Sequence, residues 1–218
     1  MYRMLYPVLI ATMSLMLSTV LPVQAEEFAE GRDYVTLKTP IPVRDKSKVE
    51  VLELFWYGCP TCNYVYPFVT AWKKKQPADV DFWHSPAAFR NTDSDPWKVH
   101  ARAFFAAEAL GISEQMHRPL FQALAVERRK LTGEKSLAKF FAEHGVKEED
   151  FKKAYNSFGV KSKAGQAVKR TANYQVSGVP TLVVNGKYRI VNNRPFDVNR
   201  MLRVVDYLVE KERQYLGG

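Results

Sequence analysis

Cysteine is nearly absent from this sequence. Cys59 and Cys62 are the only two among 218 residues, so the chain cannot form the several disulfides that hold small secreted scaffolds together. Two thiolates also fall short of the four ligands of a structural zinc site, and the others would have to come from histidine. The histidines have no metal-ligand spacing to one another; they are His84, His100, His117 and His144. We therefore expect no metal site.

Long apolar runs are also missing, except near the first residue. Leu5–Leu21 is apolar apart from a proline and small hydroxyl residues, and Arg3 is the only charge before Glu26. Small residues follow this run and end at Ala25, which predicts a secretory signal peptide over residues 1–25, cleaved after Ala25. An uncleaved membrane anchor is the alternative. The remaining chain is long enough for one sizeable core, or for one domain with an insertion.

The basic charge has no concentrated pattern. The formal net charge is +9 and the pI is about 9.5. Lysine and arginine are spread over predicted helix surfaces with acidic residues between them, which indicates solvated helix faces rather than a stripe that binds phosphates. Predicted export argues the same way, so we expect no nucleic-acid partner.

Strand and helix patterns alternate around the cysteine pair. Val49–Tyr57 is an almost unbroken apolar run that predicts a buried strand, and Gly58 ends it. A helix is predicted to begin at the cysteines, with Pro60 in its first turn, where a missing N–H group costs nothing. Val80–His84 predicts a second, parallel strand, which completes a β-α-β unit.

A wholly helical block follows, from Thr92 to about Arg170. Its first helix is expected to be capped by Asp95 and to end at Gly111, and its last two helices to cover Lys147–Phe158 and Ser162–Tyr174. No strand pattern interrupts the block, so it looks like an insertion.

Strand pattern returns near the C-terminus. Thr181–Val184 and Lys187–Val191 flank Asn185-Gly186, which is a strong signal for a β-hairpin. A last helix is predicted over Asp197–Tyr215 from its apolar spacing. The complete order predicts a small α/β sheet that is split by an all-helical insertion.

The cysteine pair has the spacing of a redox centre. A disulfide across so small a loop constrains little of the unfolded chain, so a structural role is disfavoured. Cys59 at the helix N-terminus faces unpaired N–H groups and the positive end of the helix dipole, which lower a thiol pKa. Cys62, one turn further, should be more buried and less acidic. We therefore expect Cys59 to meet substrate and Cys62 to resolve.

Other positions near the pair allow two interpretations each. Glu53 lies in the apolar strand, either pointing under the helix, where it could exchange protons with Cys62, or solvated at an edge. Pro180 either marks a turn or forms a cis bond beside the active site. Nothing marks the histidines as catalytic, and His100 and His117 are expected on helix surfaces or seams. Trp56 and Tyr57 are weak candidates for exposed apolar surface.

Together these residues resemble the DsbA family of bacterial periplasmic thiol–disulfide oxidoreductases. The strongest similarity lies in residues 51–62, VLELFWYGCPTC, and in residues 176–180, VSGVP. The resemblance implies a thioredoxin fold with an inserted all-helical domain. It divides the exported chain into a first thioredoxin-like part (residues 26–91), the helical domain (92–168) and a second thioredoxin-like part (169–218).

The resemblance also implies roles for residues around the cysteines. Pro180 would be cis and would face the pair, and the backbone of Val179 would pair with an extended substrate peptide. Glu53 would be the buried acid of the family, while Pro60 and Thr61 would tune the active site. DsbA proteins most often have histidine where this chain has Thr61. We therefore predict a less acidic Cys59 and a weaker oxidant than a relative with histidine.

Partners and location follow from the resemblance as well. It implies a periplasmic monomer that oxidises unfolded exported polypeptides with free thiols. A DsbB-like inner-membrane quinone reductase would reoxidise it, and the redox-active disulfide would be its only redox group, without an added cofactor. Two alternatives stay open: a disulfide reductase or isomerase, which would need a reducing partner, and a non-catalytic peptide-binding chaperone.

Overall fold

A five-stranded mixed sheet forms the centre of the molecule. The computed structural model describes residues 28–192 and 195–216, so the predicted signal peptide lies outside the described residues. The strands are β1 (Tyr34–Thr36), β2 (Val49–Phe55), β3 (Val80–Pro86), β4 (Thr181–Val184) and β5 (Tyr188–Ile190), in the sheet order β1-β5-β4-β2-β3. Strands β2 and β3 are parallel, and the other pairs are antiparallel. Strand β1 was not predicted from the sequence.

Helices flank this sheet and fill the interval between β3 and β4. They are α1 (Pro60–Lys73), α2 (Pro96–Ala109), α3 (Ser113–Phe121), α4 (Glu134–Ala142), α5 (Glu148–Asn156), α6 (Phe158–Asn173) and α7 (Val198–Arg213). A π-helical turn, Gln122–Val126, follows α3 directly. Helices α2 to α6 form the helical block that the sequence predicts; the exact domain boundaries stay a prediction. No helix in the described part of the chain is long and apolar enough to cross a membrane.

Strand β2 is buried along its whole length because it has neighbours on both edges and is covered on both faces. Val49 and Val51 pack in the cluster that includes residues of α1 and α7. Leu52 and Leu54 point to the other face and pack with Val176. A central strand covered on both sides needs apolar residues on both sides, which explains the unbroken apolar run.

The predicted hairpin is confirmed. Asn185 and Gly186 have φ angles of 50° and 64°, and they connect the antiparallel strands β4 and β5. Two successive left-handed residues match the twist of the paired strands. Glycine is required at the second position, because a Cβ atom there would lie 2.0 Å from the carbonyl oxygen of Ile41.

The end of the helical block differs from the prediction. Helix α5 stops at Asn156, and α6 begins at Phe158 rather than at Ser162. Ser157 has an extended conformation, and its hydroxyl accepts a hydrogen bond from the N–H group of Val160 at 3.3 Å. The serine is therefore an N-cap that starts α6 immediately.

Candidate active site

Helix α1 begins at the cysteine pair. Cys59 is the N-cap residue in an extended conformation, and Pro60 occupies the first turn. The Cys59 sulfur accepts a hydrogen bond from the N–H group of Cys62 at 3.2 Å. Both cysteines are free thiols; Cys59 is partly exposed, whereas Cys62 is fully buried. The helix start thus presents one sulfur to solvent and holds the other beneath it.

The two thiols differ strongly in acidity. The Cys62 thiol donates to the Cys59 sulfur and, together with the backbone N–H groups of Cys62 and Thr61, lowers the pKa of Cys59 to about 7, although burial and the charge of Glu53 oppose this. Burial, followed by the neighbouring Cys59, raises the pKa of Cys62. The order of acidity is the one that the helix position predicts. Thr61 acts here through its backbone N–H group.

Glu53 is buried in the central strand β2. Only 2% of its surface is exposed, which excludes a solvated glutamate at a sheet edge; proton exchange with Cys62 stays a prediction. Its carboxylate Oε2 lies 2.9 Å from Nδ1 of His84, the residue directly opposite on β3. This close contact is not a hydrogen bond, because His84 Nδ1 has no hydrogen-bond partner among the residues that the structure describes.

His84 is the residue that the sequence did not single out. Its side chain is 20% exposed and lines a cavity of about 460 Å³ beside β3, α2 and α6. The two predicted parallel strands could have indicated this contact. Val49 pairs with Val80, and Glu53 and His84 each lie four residues further along their strands, so they are directly opposite each other. Strand register was the missing information.

A loop before β4 faces the cysteine pair. The Val179–Pro180 peptide bond is cis, as the resemblance implies. The carbonyl oxygen of Val179 lies 3.5 Å from the Cys59 sulfur and accepts its hydrogen bond. Asn192 donates from its side chain to the carbonyl oxygen of Pro180. A groove of about 780 Å³, here called the cis-proline groove, runs past this loop; it is lined by Thr61, residues 177–181, residues 189–192, Pro195 and Phe196.

An aromatic stack supports the turn that precedes Cys59. The rings of Trp56 and Trp97 stack at 4.2 Å, and Trp56 Nε1 donates to Nδ1 of His100 at 3.0 Å. Burial lowers the pKa of His100 to about 4, so this imidazole is neutral and can accept that bond. Gly58 packs against the same indole: a Cβ atom there would lie 2.5 Å from the Trp56 ring.

Tyr57 is not part of an exposed surface. It is 1% exposed, so its suggested place beside Cys59 on the surface is wrong. Its hydroxyl forms a 2.7 Å hydrogen bond with Nδ1 of His117, which is buried in a seam of the helical block. Burial raises the pKa of Tyr57 and lowers the pKa of His117 well below its ordinary value, so both groups are uncharged. This pair ties the active-site turn to α3.

The chain matches the model of the DSBA-like thioredoxin domain over residues 57–203. The chain belongs to the DsbA family. It is 42% identical over 190 residues to the thiol:disulfide interchange protein DsbA of Pseudomonas aeruginosa, covering 87% of this chain and 88% of that protein. It is 43% identical over 183 residues to DsbA of Azotobacter vinelandii, with 84% of each chain covered.

Solved structures of the family share the fold as well as the sequence. The crystal structure of Pseudomonas aeruginosa DsbA matches with a TM-score of 0.80 and 41% identity, over 88% of this chain and 97% of that chain. The predicted thioredoxin fold with an inserted helical domain is thereby confirmed. As a DsbA family member with a C-x-x-C pair at a helix N-terminus, the protein is a thiol:disulfide oxidoreductase.

Proposed function

We propose that the Cys59–Cys62 disulfide is donated to exported polypeptides through a mixed disulfide on Cys59. The main support for this proposal is that the two cysteines differ in exposure and in pKa. Cys59 is partly exposed and has a pKa of about 7, whereas Cys62 is buried and its pKa is raised. Only the first of these sulfurs is open to attack by a substrate thiolate.

The exchange proceeds in two displacements. A substrate thiolate attacks the Cys59 sulfur, the bond to Cys62 breaks, and Cys62 leaves with the electron pair. A second substrate thiolate then attacks the substrate sulfur of the mixed disulfide and releases Cys59 as a thiolate. The substrate loses two electrons and the cysteine pair gains them. A low pKa makes Cys59 a good leaving group in the second displacement. The pair itself is the redox group, and we propose no added cofactor.

Glu53 is proposed to take part in the proton transfer that Cys62 requires. Because the pKa of Cys62 is raised, its departing thiolate must gain a proton at neutral pH. The charge of Glu53 raises the pKa of both cysteines, which supports a role for this carboxylate near the pair. Its contact with His84 connects the buried acid to a side chain that lines an open cavity. A proton that exchanges with solvent along this route requires the His84 ring to turn into hydrogen-bond geometry with Glu53.

Val179 and Pro180 are proposed to hold the substrate. An extended peptide could pair with the Val179 backbone by β-augmentation, next to the sulfur that it attacks. The 3.5 Å approach of Val179 to Cys59 and the adjoining cis-proline groove support this role. Pro60 fixes the start of α1, and Thr61 adds an N–H group to the thiolate site.

The compartment and partners belong to the same proposal. We infer that the protein works in the periplasm as a monomer, after cleavage following Ala25, and that a DsbB-like inner-membrane quinone reductase restores its disulfide. Family membership and the signal-like residues 1–25 support this location. An oxidising compartment is where a disulfide donor can act.

Oxidative refolding of a reduced protein tests the proposal. The oxidised wild type should accelerate disulfide formation, whereas Cys59→Ala should abolish the acceleration. Cys62→Ala has no disulfide to donate. Mixed with a disulfide-bonded peptide, its Cys59 thiolate should attack one peptide sulfur, release the other as a thiolate and stay trapped as the mixed disulfide, because the resolving thiol is missing. Efficient rescue of a scrambled substrate would favour an isomerase, and full activity of Cys59→Ala in cells would favour a non-catalytic chaperone.

A further inference from the structure

The cis-proline groove has one charged side chain among the described residues that line it. That residue is Arg189 of β5, and no aspartate or glutamate lines the groove with it. A peptide bound beside Val179 and Pro180 would therefore meet a positive charge that the groove itself does not neutralise. The position of Arg189 in the sheet explains why its charge is not neutralised.

Arg189 has no carboxylate or carbonyl partner in the described part of the chain. Its Nε atom is buried without a hydrogen bond. Its neighbours across the strands are apolar, Val35 on β1 and Val183 on β4. Arg44 and Arg213, in contrast, form ion pairs with Asp81 and Asp79. Arg189 thus has an unsatisfied Nε donor in the groove that Val179 also lines, and the Val179 carbonyl oxygen contacts the Cys59 sulfur.

An unpaired, partly buried guanidinium is electrostatically unfavourable, and a carboxylate can satisfy two of its N–H groups at once. We propose that Arg189 makes the protein prefer thiols that have an aspartate or glutamate near the cysteine in the sequence of the substrate. The inference rests on the proposed function, because it requires the substrate to occupy the cis-proline groove. A lysine at the same place would face a like charge, so the groove discriminates in both directions.

Paired peptide substrates test the preference. Each reduced peptide has two cysteines. The two residues before the first cysteine and the two residues after it are varied one at a time, and each is glutamate, glutamine or lysine. The second-order rate constant for reaction with the oxidised protein is measured for each. At one of these positions the peptide with glutamate should have a rate constant about three- to ten-fold higher than the peptide with lysine. This is the range expected for a charge-assisted contact in a partly solvated groove. Raising the salt from about 0.05 M to about 0.5 M should reduce this ratio.

Variants of Arg189, with a control at Arg128, test whether Arg189 causes the preference. Arg189→Gln should bring the glutamate-to-lysine ratio close to one, and Arg189→Lys should retain most of it. Arg128→Gln, which removes the same charge from an exposed site in the helical block, should leave the ratio unchanged. Arg128→Gln should oxidise the glutamine peptide as fast as the wild type. For the Arg189 variants, an unchanged circular dichroism spectrum and a wild-type thiol count after reduction show that the fold and the cysteines are intact.

Any one of four results would overturn the inference. A ratio that is the same in wild type and Arg189→Gln would show that Arg189 does not select the substrate. If the wild type preferred glutamate equally at every position, the preference would reflect the net charge of the peptide rather than a contact with Arg189. This comparison uses the wild type alone. Failure to oxidise any peptide would overturn the proposed function as well, whereas equal oxidation of all peptides would overturn only the preference.

Discussion

Raising the pH should stabilise the reduced protein relative to the oxidised protein, because only the reduced protein has a Cys59 thiolate. In the folded chain the pKa of this thiol is about 7, against an ordinary thiol value of 9.0. Between these values the unfolded chain binds more protons than the folded chain, so the free energy of unfolding rises with pH. The stabilisation is lost as the pH falls through the folded pKa, and the contribution of Cys59 is complete only above the unfolded one.

The shift sets the size of the effect. One pKa unit corresponds to about 1.4 kcal/mol, and solvent screening at this partly exposed thiol reduces the effective shift, so the contribution of Cys59 is on the order of 1 kcal/mol at about pH 8 and much smaller at about pH 6. Cys62 acts in the opposite direction. Burial raises its pKa, so it stays protonated in the folded chain while the unfolded thiol ionises near 9.0. The destabilisation from Cys62 becomes appreciable only near and above that pH, where it begins to offset the stabilisation from Cys59.

Urea unfolding of both redox forms measures this difference. The gap in unfolding free energy, reduced minus oxidised, should grow by roughly 1 kcal/mol between about pH 6 and about pH 8. Groups that titrate alike in both forms cancel in the gap. The double variant Cys59→Ser/Cys62→Ser, treated with the same reductant and oxidant, should show no gap at any pH. A gap that stays constant or shrinks over this range would refute the assigned acidity of Cys59.

Further substitutions probe the groups around the thiolate. Thr61→His should lower the pKa of Cys59 by about one unit, because a protonated imidazole adds a positive charge; an unchanged or higher pKa in thiolate absorbance would contradict this. Glu53→Gln should also lower that pKa, since its charge raises it, and alkylation rates against pH would show whether it does. Gly58→Ala should destabilise the protein by about 1–3 kcal/mol through its clash with Trp56. An unchanged urea midpoint would show that the ring moves aside without cost.

Much of the fold could be predicted because its signals are local. Asn185-Gly186 needs only its own backbone preferences to form the hairpin, and Asp95 caps α2 with its own side chain. Strand β2 shows its central position in its composition alone. One error has a local cause, since Ser157 was not recognised as a cap. The other has a long-range cause, because the short edge strand Tyr34–Thr36 is held by pairing with β5 rather than by its own pattern.

Within the active site, sequence determined which atoms can react, and tertiary structure decided what surrounds them. The spacing of Cys59 and Cys62 at a helix start is enough to order their acidity, because the N–H groups that stabilise the first thiolate belong to the same turn. The contact of Glu53 with His84 and the place of Arg189 in the cis-proline groove depend on strand register and on loops distant in sequence. No local pattern encodes such contacts, since they exist only when separate strands pair and burial removes water from between them.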